Sequence, residues 1–243
     1  MVKDIYSGSD SSSPLDYLTA VGSTLYFKAY DTTNGWELWK SDGTSSGTVM
    51  VKDIKSGISS SIPAGLTAIG NALYFVASDG TNGIELWKSD GTASGTVMVK
   101  DINSGISSSS PSYITTVGNT LYFRANDGTN GTELWKSDGT TSGTVMVKDI
   151  ASGSGSSSLA YLTDVGSTLY FRATDGTTGW ELWKSDGTAS GTVMVKDIKS
   201  GISSSSPGQL TAVGNTLYFS ANDGINGQEL YTNLGVSTEV TYS

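Results

Sequence analysis

The chain has 243 residues, 31 of them glycine, a formal charge of −9, and neither cysteine nor histidine. Disulfides, thiolate or imidazole metal centres, cysteine nucleophiles and histidine general bases are therefore excluded. The negative charge opposes binding to nucleic acid or to an anionic membrane, no Lys/Arg cluster offsets it, and no apolar run approaches the roughly 18 residues of a membrane span.

The first predicted element is a strand, Met1-Val-Lys-Asp-Ile5, so no secretory leader is read at the N-terminus. A repeat of 48 residues then runs through most of the chain, with Phe27, Phe75, Phe123, Phe171 and Phe219 at that interval. The octapeptide Glu37–Thr44 recurs unchanged at Glu85–Thr92, Glu133–Thr140 and Glu181–Thr188. A period of this size marks an array or a propeller. One unit is clearest between Leu66 and Pro111. Leu66–Ile69 reads as strand A, Gly70-Asn71 as a two-residue hairpin turn, and the aromatic and branched run Leu73–Ala77 as strand B. Asp79–Gly83 turns the chain into strand C at Glu85–Lys88, and Asp90–Gly95 turns it again into strand D at Thr96–Ile102. A Ser/Gly loop, 103–112, leads to the next unit. Glycine, serine, threonine and branched residues disfavour helix throughout.

Four antiparallel strands per unit, repeated five times, predict a single all-β domain: a five-bladed β-propeller with pseudo-fivefold symmetry. The blades span about 17–54, 65–102, 113–150, 161–198 and 209–231, with a C-terminal tail at 232–243. The last unit lacks a Val-Lys-Asp-Ile strand D, and Met1–Ile5 matches the missing piece. Residues 1–5 are thus expected to close the ring and remove its open edge. Two alternatives stay open: Val236–Ser243 forms or flanks this strand, or chains exchange it and make a swapped oligomer in place of the expected monomer.

The repeat resembles the bacterial ELWxxDGT repeat, on the four intact octapeptides and over about residues 1–231. The fifth copy keeps only Glu229-Leu230. The resemblance implies a propeller in a secreted or surface-exposed protein; it implies no reaction, ligand or site residue.

Several residues invite a functional reading. Asp42 and its copies Asp90, Asp138 and Asp186 sit in the C–D turn, where a carboxylate caps turn amides. A weak calcium site is the alternative, built from strand-D, B–C turn and strand-C acids such as Asp53, Asp79 and Glu85; calcium needs about 6–8 oxygens, and no contiguous loop presents them. Trp39, Trp87, Trp135 and Trp183 recur on strand C and are read as core between blades. Positions that differ between units are not dictated by the fold. Before strand A stand Tyr17, Gly65, Tyr113, Tyr161 and Gln209; before the strand-C glutamate stand Trp36, Ile84, Thr132, Trp180 and Gln228. Aromatic rings among Ser, Asn and Asp suit a sugar, offering a face for C–H surfaces and polar groups for hydroxyls. Tyr17, Tyr113, Tyr161, Trp36 and Trp180 are therefore the candidate ligand-binding residues.

An enzyme is not expected. The carboxylates repeat unit by unit, as structural groups do, and serine has no histidine to activate it. Two functions remain: a structural repeat module or symmetric scaffold, or a lectin-like module for surface glycans, where several weak sites would gain by avidity.

Overall fold

The computed structural model describes residues 1–7, 11–12 and 18–234. Tyr17 and the segment 236–243, considered above as a closing strand, lie outside the described residues. Nineteen strands and no helix occur among them, so no helix is long and apolar enough to cross a membrane. The strands form five antiparallel sheets in chain order. The first holds β1 (Thr19–Val21), β2 (Thr24–Asp31), β3 (Gly35–Ser41) and β4 (Val49–Lys52). The second holds β5 (Ala64–Ile69), β6 (Ala72–Ser78), β7 (Ile84–Ser89) and β8 (Val97–Lys100), and the third β9 (Ser112–Val117), β10 (Thr120–Asn126), β11 (Thr132–Ser137) and β12 (Val145–Lys148). The fourth holds β13 (Ala160–Val165), β14 (Thr168–Ala173), β15 (Glu181–Ser185) and β16 (Val193–Lys196). The fifth has three strands, β17 (Gly208–Val213), β18 (Thr216–Asn222) and β19 (Gln228–Thr232). The chain divides into two compact units, one of Met1–Ser112 with Gly139–Thr141, the other of Tyr113–Asp138 with Ser142–Ser243.

Local chemistry sets each hairpin. Ile69 pairs with Ala72, leaving Gly70-Asn71 as the two-residue turn, and Gly70 takes the φ of 55° that such a turn requires. In the C–D hairpin the Thr44 amide and hydroxyl both donate to Asp42 Oδ1, at 2.9 and 2.7 Å. The Gly47 amide donates to Thr44 Oγ1, the Thr48 hydroxyl donates to the Thr44 carbonyl, and Ser41 Oγ lies 2.7 Å from Thr48 Oγ1. The Ser-Asp-Gly-Thr sequence is thus a self-satisfied turn, and the hydrogen bonds from Thr44 hold the Asp42 carboxyl below its usual range.

Strand D is shorter than the sequence suggests. β8 ends at Lys100, not Ile102, because the Ile102 amide leaves the ladder and donates to the Glu85 carboxylate, while the Gly105 amide donates to Asp101 Oδ2. Glu85 is fully buried and also accepts from the Ser109 amide (2.8 Å) and hydroxyl. Glu37 repeats the cradle with Ile54, Lys55 and Ser61, and Glu181 with Ile198 and Ser205. These strand-C glutamates therefore tie down the loops that leave their own sheets. Buried polar groups need such partners, since each orphaned one costs roughly 1–3 kcal/mol.

Within each unit, neighbouring sheets pack face to face. In the first, Tyr26, Leu38, Val51 and Ile54 of one sheet meet Leu73, Phe75, Ala77 and Trp87 of the next. In the second, Leu134, Val147 and Ile150 meet Leu169, Phe171 and Trp183, and Leu182 and Val195 meet Leu217 and Phe219. The strand-C tryptophans are buried as expected, with Trp87 Nε1 donating to the Ala77 carbonyl at 3.1 Å. Burying a side chain such as Phe75 contributes about 2–3 kcal/mol. Polar ties repeat beside this core. Lys40 Nζ donates to the Gly91 carbonyl, Lys136 Nζ to that of Gly187, and Lys52 Nζ to that of Thr96. The Thr19 hydroxyl donates to the Leu66 carbonyl, and that of Thr163 to Leu210.

Residues 1–5 do not form a strand, and among the described residues the fifth sheet has no fourth one. The N-terminal segment nonetheless repeats the contacts of a strand D and its following loop. Lys3 Nζ donates to the Thr48 carbonyl at 2.7 Å, as Lys52 does to Thr96, and the Ser12 carbonyl accepts from the Tyr30 amide, as Ser61 does from Ser78. Two leucines depart from the pattern. Leu230 is 72% exposed although Leu38, Leu86, Leu134 and Leu182 are fully buried, and Leu25 is 36% exposed although Leu73, Leu121, Leu169 and Leu217 are buried.

Candidate binding surface

Of the residues placed by sequence just before strand A, the four that are described lie inside it, as its second residue. Ala64 pairs with Val76 and Thr67 with Tyr74, so Gly65-Leu66 faces the single residue Phe75: a β-bulge. The same irregularity follows Ala160 and Gly208. The residue at this position has positive φ in every described copy: Gly65 (62°), Tyr113 (54°), Tyr161 (58°) and Gln209 (56°). Glycine adopts this conformation freely, whereas a residue bearing a Cβ sacrifices about 1–2 kcal/mol. The tyrosines endure that strain without compensating burial, for Tyr113 is 48% and Tyr161 42% exposed. Strained non-glycine residues of this kind concentrate at functional positions.

A bulge re-aims its side chain, and here it carries the ring over a cation of strand B. Arg172 pairs with Ala160, next to Tyr161, and its guanidinium carbon lies 5.0 Å from the Tyr161 ring centroid. The same carbon lies 4.9 Å from the Trp180 ring. Arg124 stands 4.6 Å from the Tyr113 ring, and its Nη1 donates to the Leu159 carbonyl. Trp180 is 40% exposed; its amide donates to Ser204 Oγ and its carbonyl accepts from the Ser206 amide, so the loop before strand A fixes the start of strand C. In the other unit, half-buried Trp36 lies 5.2 Å from Lys28 Nζ and 5.4 Å from the Tyr30 ring. Such cation–π contacts are worth about 0.5–2 kcal/mol and hold both partners in place.

The structure thus brings Tyr161 and Trp180 together on Arg172, seats Tyr113 on Arg124, and puts Trp36 on Lys28. The three cations carry a signal of their own in the sequence. The strand-B position carries Lys28, Arg124 and Arg172 where at least one neighbouring position is aromatic, Val76 beside Gly65 and Ile84, and Ser220 beside Gln209 and Gln228. Within one chain, cation and ring change together.

The weak calcium candidates do not form a comparable group. Among the described residues no three acidic side chains converge. Glu85 spends its oxygens on Ile102 and Ser109; burial, only partly offset by those hydrogen bonds, pushes its carboxyl up. Asp79 accepts from the Thr81 and Asn82 amides and from Asn82 Nδ2 at 2.7–2.9 Å, capping its own turn. Asp53 accepts from the Gly57 amide through Oδ2.

No family model and no curated protein matches the sequence. Solved structures share its fold. A puromycin hydrolase mutant complexed with PGG is similar at TM-score 0.54 and 12% identity, over 90% of this chain and 37% of its own. Prolyl oligopeptidase B from Galerina marginata, bound to a 35mer substrate, is similar at TM-score 0.51 and 11% identity, over 86% of this chain and 30% of its own. The chain therefore spans about a third of these proteins, and at such identity the likeness is one of fold: repeated antiparallel sheets of the β-propeller kind.

Proposed function

We propose that the chain is a non-enzymatic, lectin-like propeller module that binds surface glycans through exposed aromatic residues. The observation carrying this reading is the pair of tyrosines at 113 and 161, held at positive φ and half-exposed where Gly65 shows the unstrained choice. A ring fixed beside a cation presents a rigid face to sugar C–H groups at little entropic cost. Replacing both tyrosines by glycine removes the rings and relieves the backbone. On a glycan array the double variant is expected to bind at least about tenfold more weakly than the parent, with an unchanged or higher melting temperature. Binding that survives the double substitution would take these residues out of the site. A blank array for the parent protein would favour the second reading, a structural scaffold, which rests on the near-identical ties between successive repeats.

The reading includes closure into a five-bladed ring, with residues 1–5 completing the last sheet. Lys3 and Ser12 already make the contacts of a strand D and its loop, and exposed Glu229 would receive the Ile5 and Ser12 amides as Glu85 receives those of Ile102 and Ser109. Closure would also cover Leu25 and Leu230. Deleting residues 1–5 is expected to lower the melting temperature or drive oligomerisation; a deletion monomer that melts like the parent, in light scattering and calorimetry, would refute the latch.

A further inference from the structure

Resting on the glycan-binding reading, we propose that the site at Arg172, Tyr161 and Trp180 selects saccharides that bear a carboxylate. Arg172 has unmet bonding capacity. Its side chain is half-buried, and among the described residues it makes no hydrogen bond and no ion pair; its contacts are the two rings. Nε is fully buried without an acceptor. The chain carries 23 acidic residues against 14 basic ones, so a neutralising partner would be easy to supply, yet none of the described ones is placed here. Held beside two aromatic rings and with no acceptor of its own, the Arg172 guanidinium keeps its terminal N–H groups for a ligand. Those groups match the two oxygens of a carboxylate.

Sugar chemistry completes the fit. Tyr161 and Trp180 both offer exposed ring surface beside the guanidinium, which suits a pyranose whose carboxylate is attached directly to the ring. Arg124 with Tyr113 is a lesser version of this arrangement: its guanidinium already donates to the Leu159 carbonyl, and Thr132 stands where the fourth sheet has Trp180. Val76 and Ser220 occupy the same place in the second and fifth sheets, so the fold itself does not require a cation there.

The test uses the full chain and a galacturonic acid oligosaccharide in titration calorimetry, alongside its methyl ester, a sulfated oligosaccharide and a neutral galactose oligosaccharide. The oligogalacturonate is expected to bind at least about tenfold more tightly than its methyl ester, and Arg172→Ser to abolish that preference. Serine is the residue the fifth sheet already carries at this position, and an unchanged melting curve verifies folding of the variant. Arg172→Lys, which keeps the charge but loses the fork, is expected to retain only part of the preference. Equal binding of acid and ester, tighter binding of the sulfated sugar, or a preference that persists in Arg172→Ser would each overturn the proposal. If neutral sugars bind as well as acidic ones, the glycan-binding reading stands and carboxylate selection falls. If none of the four binds while an array shows other glycans bound, the selection again falls alone; a wholly blank array removes both.

Discussion

Glu85→Ala is expected to lower stability by about 3 kcal/mol, and with it the melting temperature by roughly 6–12 °C for a chain of this size. The substitution leaves the Ile102 amide, the Ser109 amide and the Ser109 hydroxyl without their acceptor in a site closed to water. Glu85→Gln probes the same cradle more finely, because the amide offers one acceptor oxygen and turns a donor toward other donors. Acidity gives an independent check. Burial raises the carboxyls of Glu85, Glu133 and Glu181, and that of Glu37 to about 6, against the hydrogen bonds that favour their charged forms. A carboxyl whose pKa is higher in the folded than in the unfolded chain binds protons preferentially when folded. Its contribution is thus complete below the unfolded value of about 4.5 and lost as pH rises through the folded one. The parent protein is expected to melt higher near pH 5 than at pH 7, and Glu85→Ala to show a smaller gain. A melting temperature that falls steadily from pH 7 to pH 5 would contradict this account.

The second large effect is expected at Gly83. Its φ is +68°, and a Cβ built there would overlap the carbonyl oxygen of Ser107 in the loop that follows the same sheet. Both costs apply to Gly83→Ala, and neither neighbour is the free end of a side chain, so the loss is expected to exceed about 3 kcal/mol. Gly105→Ala separates the two costs. Gly105 has φ +90° but open space around its Cβ position, and its loss is expected near 1 kcal/mol. Denaturant melts of the two variants should differ accordingly; similar losses would mean that the backbone approach at Gly83 relaxes freely.

These two residues mark what the sequence made legible and what it hid. Strand order, the turn at Gly70-Asn71 and the burial of Trp87 follow from a period-2 pattern copied at 48 residues. Glu85 was visible as a repeated acid but open to a metal reading. Its real partners lie 17 and 24 residues along, and only the recurrence of Ser61, Ser109, Ser157 and Ser205 at that offset from each glutamate hints at them. The early end of strand D at Lys100 has the same origin, since a side chain drawing an amide out of a ladder leaves no mark on hydrophobic periodicity. For the candidate site, Tyr113, Tyr161, Trp36 and Trp180 stood out by differing between repeats. The bulge that aims Tyr161 did not, because alternation of side chains says nothing about one extra residue in a strand. Arg172 was hidden for another reason: a lone cation on a strand looks like any solvated charge until the ring above it is seen.

The ties between repeats span 44 residues from Lys52 to Thr96, 47 from Thr19 to Leu66 and 51 from Lys40 to Gly91. Every such tie reaches one period ahead and no further. A gene with this property can exchange with itself out of register, at any point in the period, and still encode chains in which each interior repeat finds its proper neighbour. Whole repeats can then be gained or lost without changing any tie between neighbours.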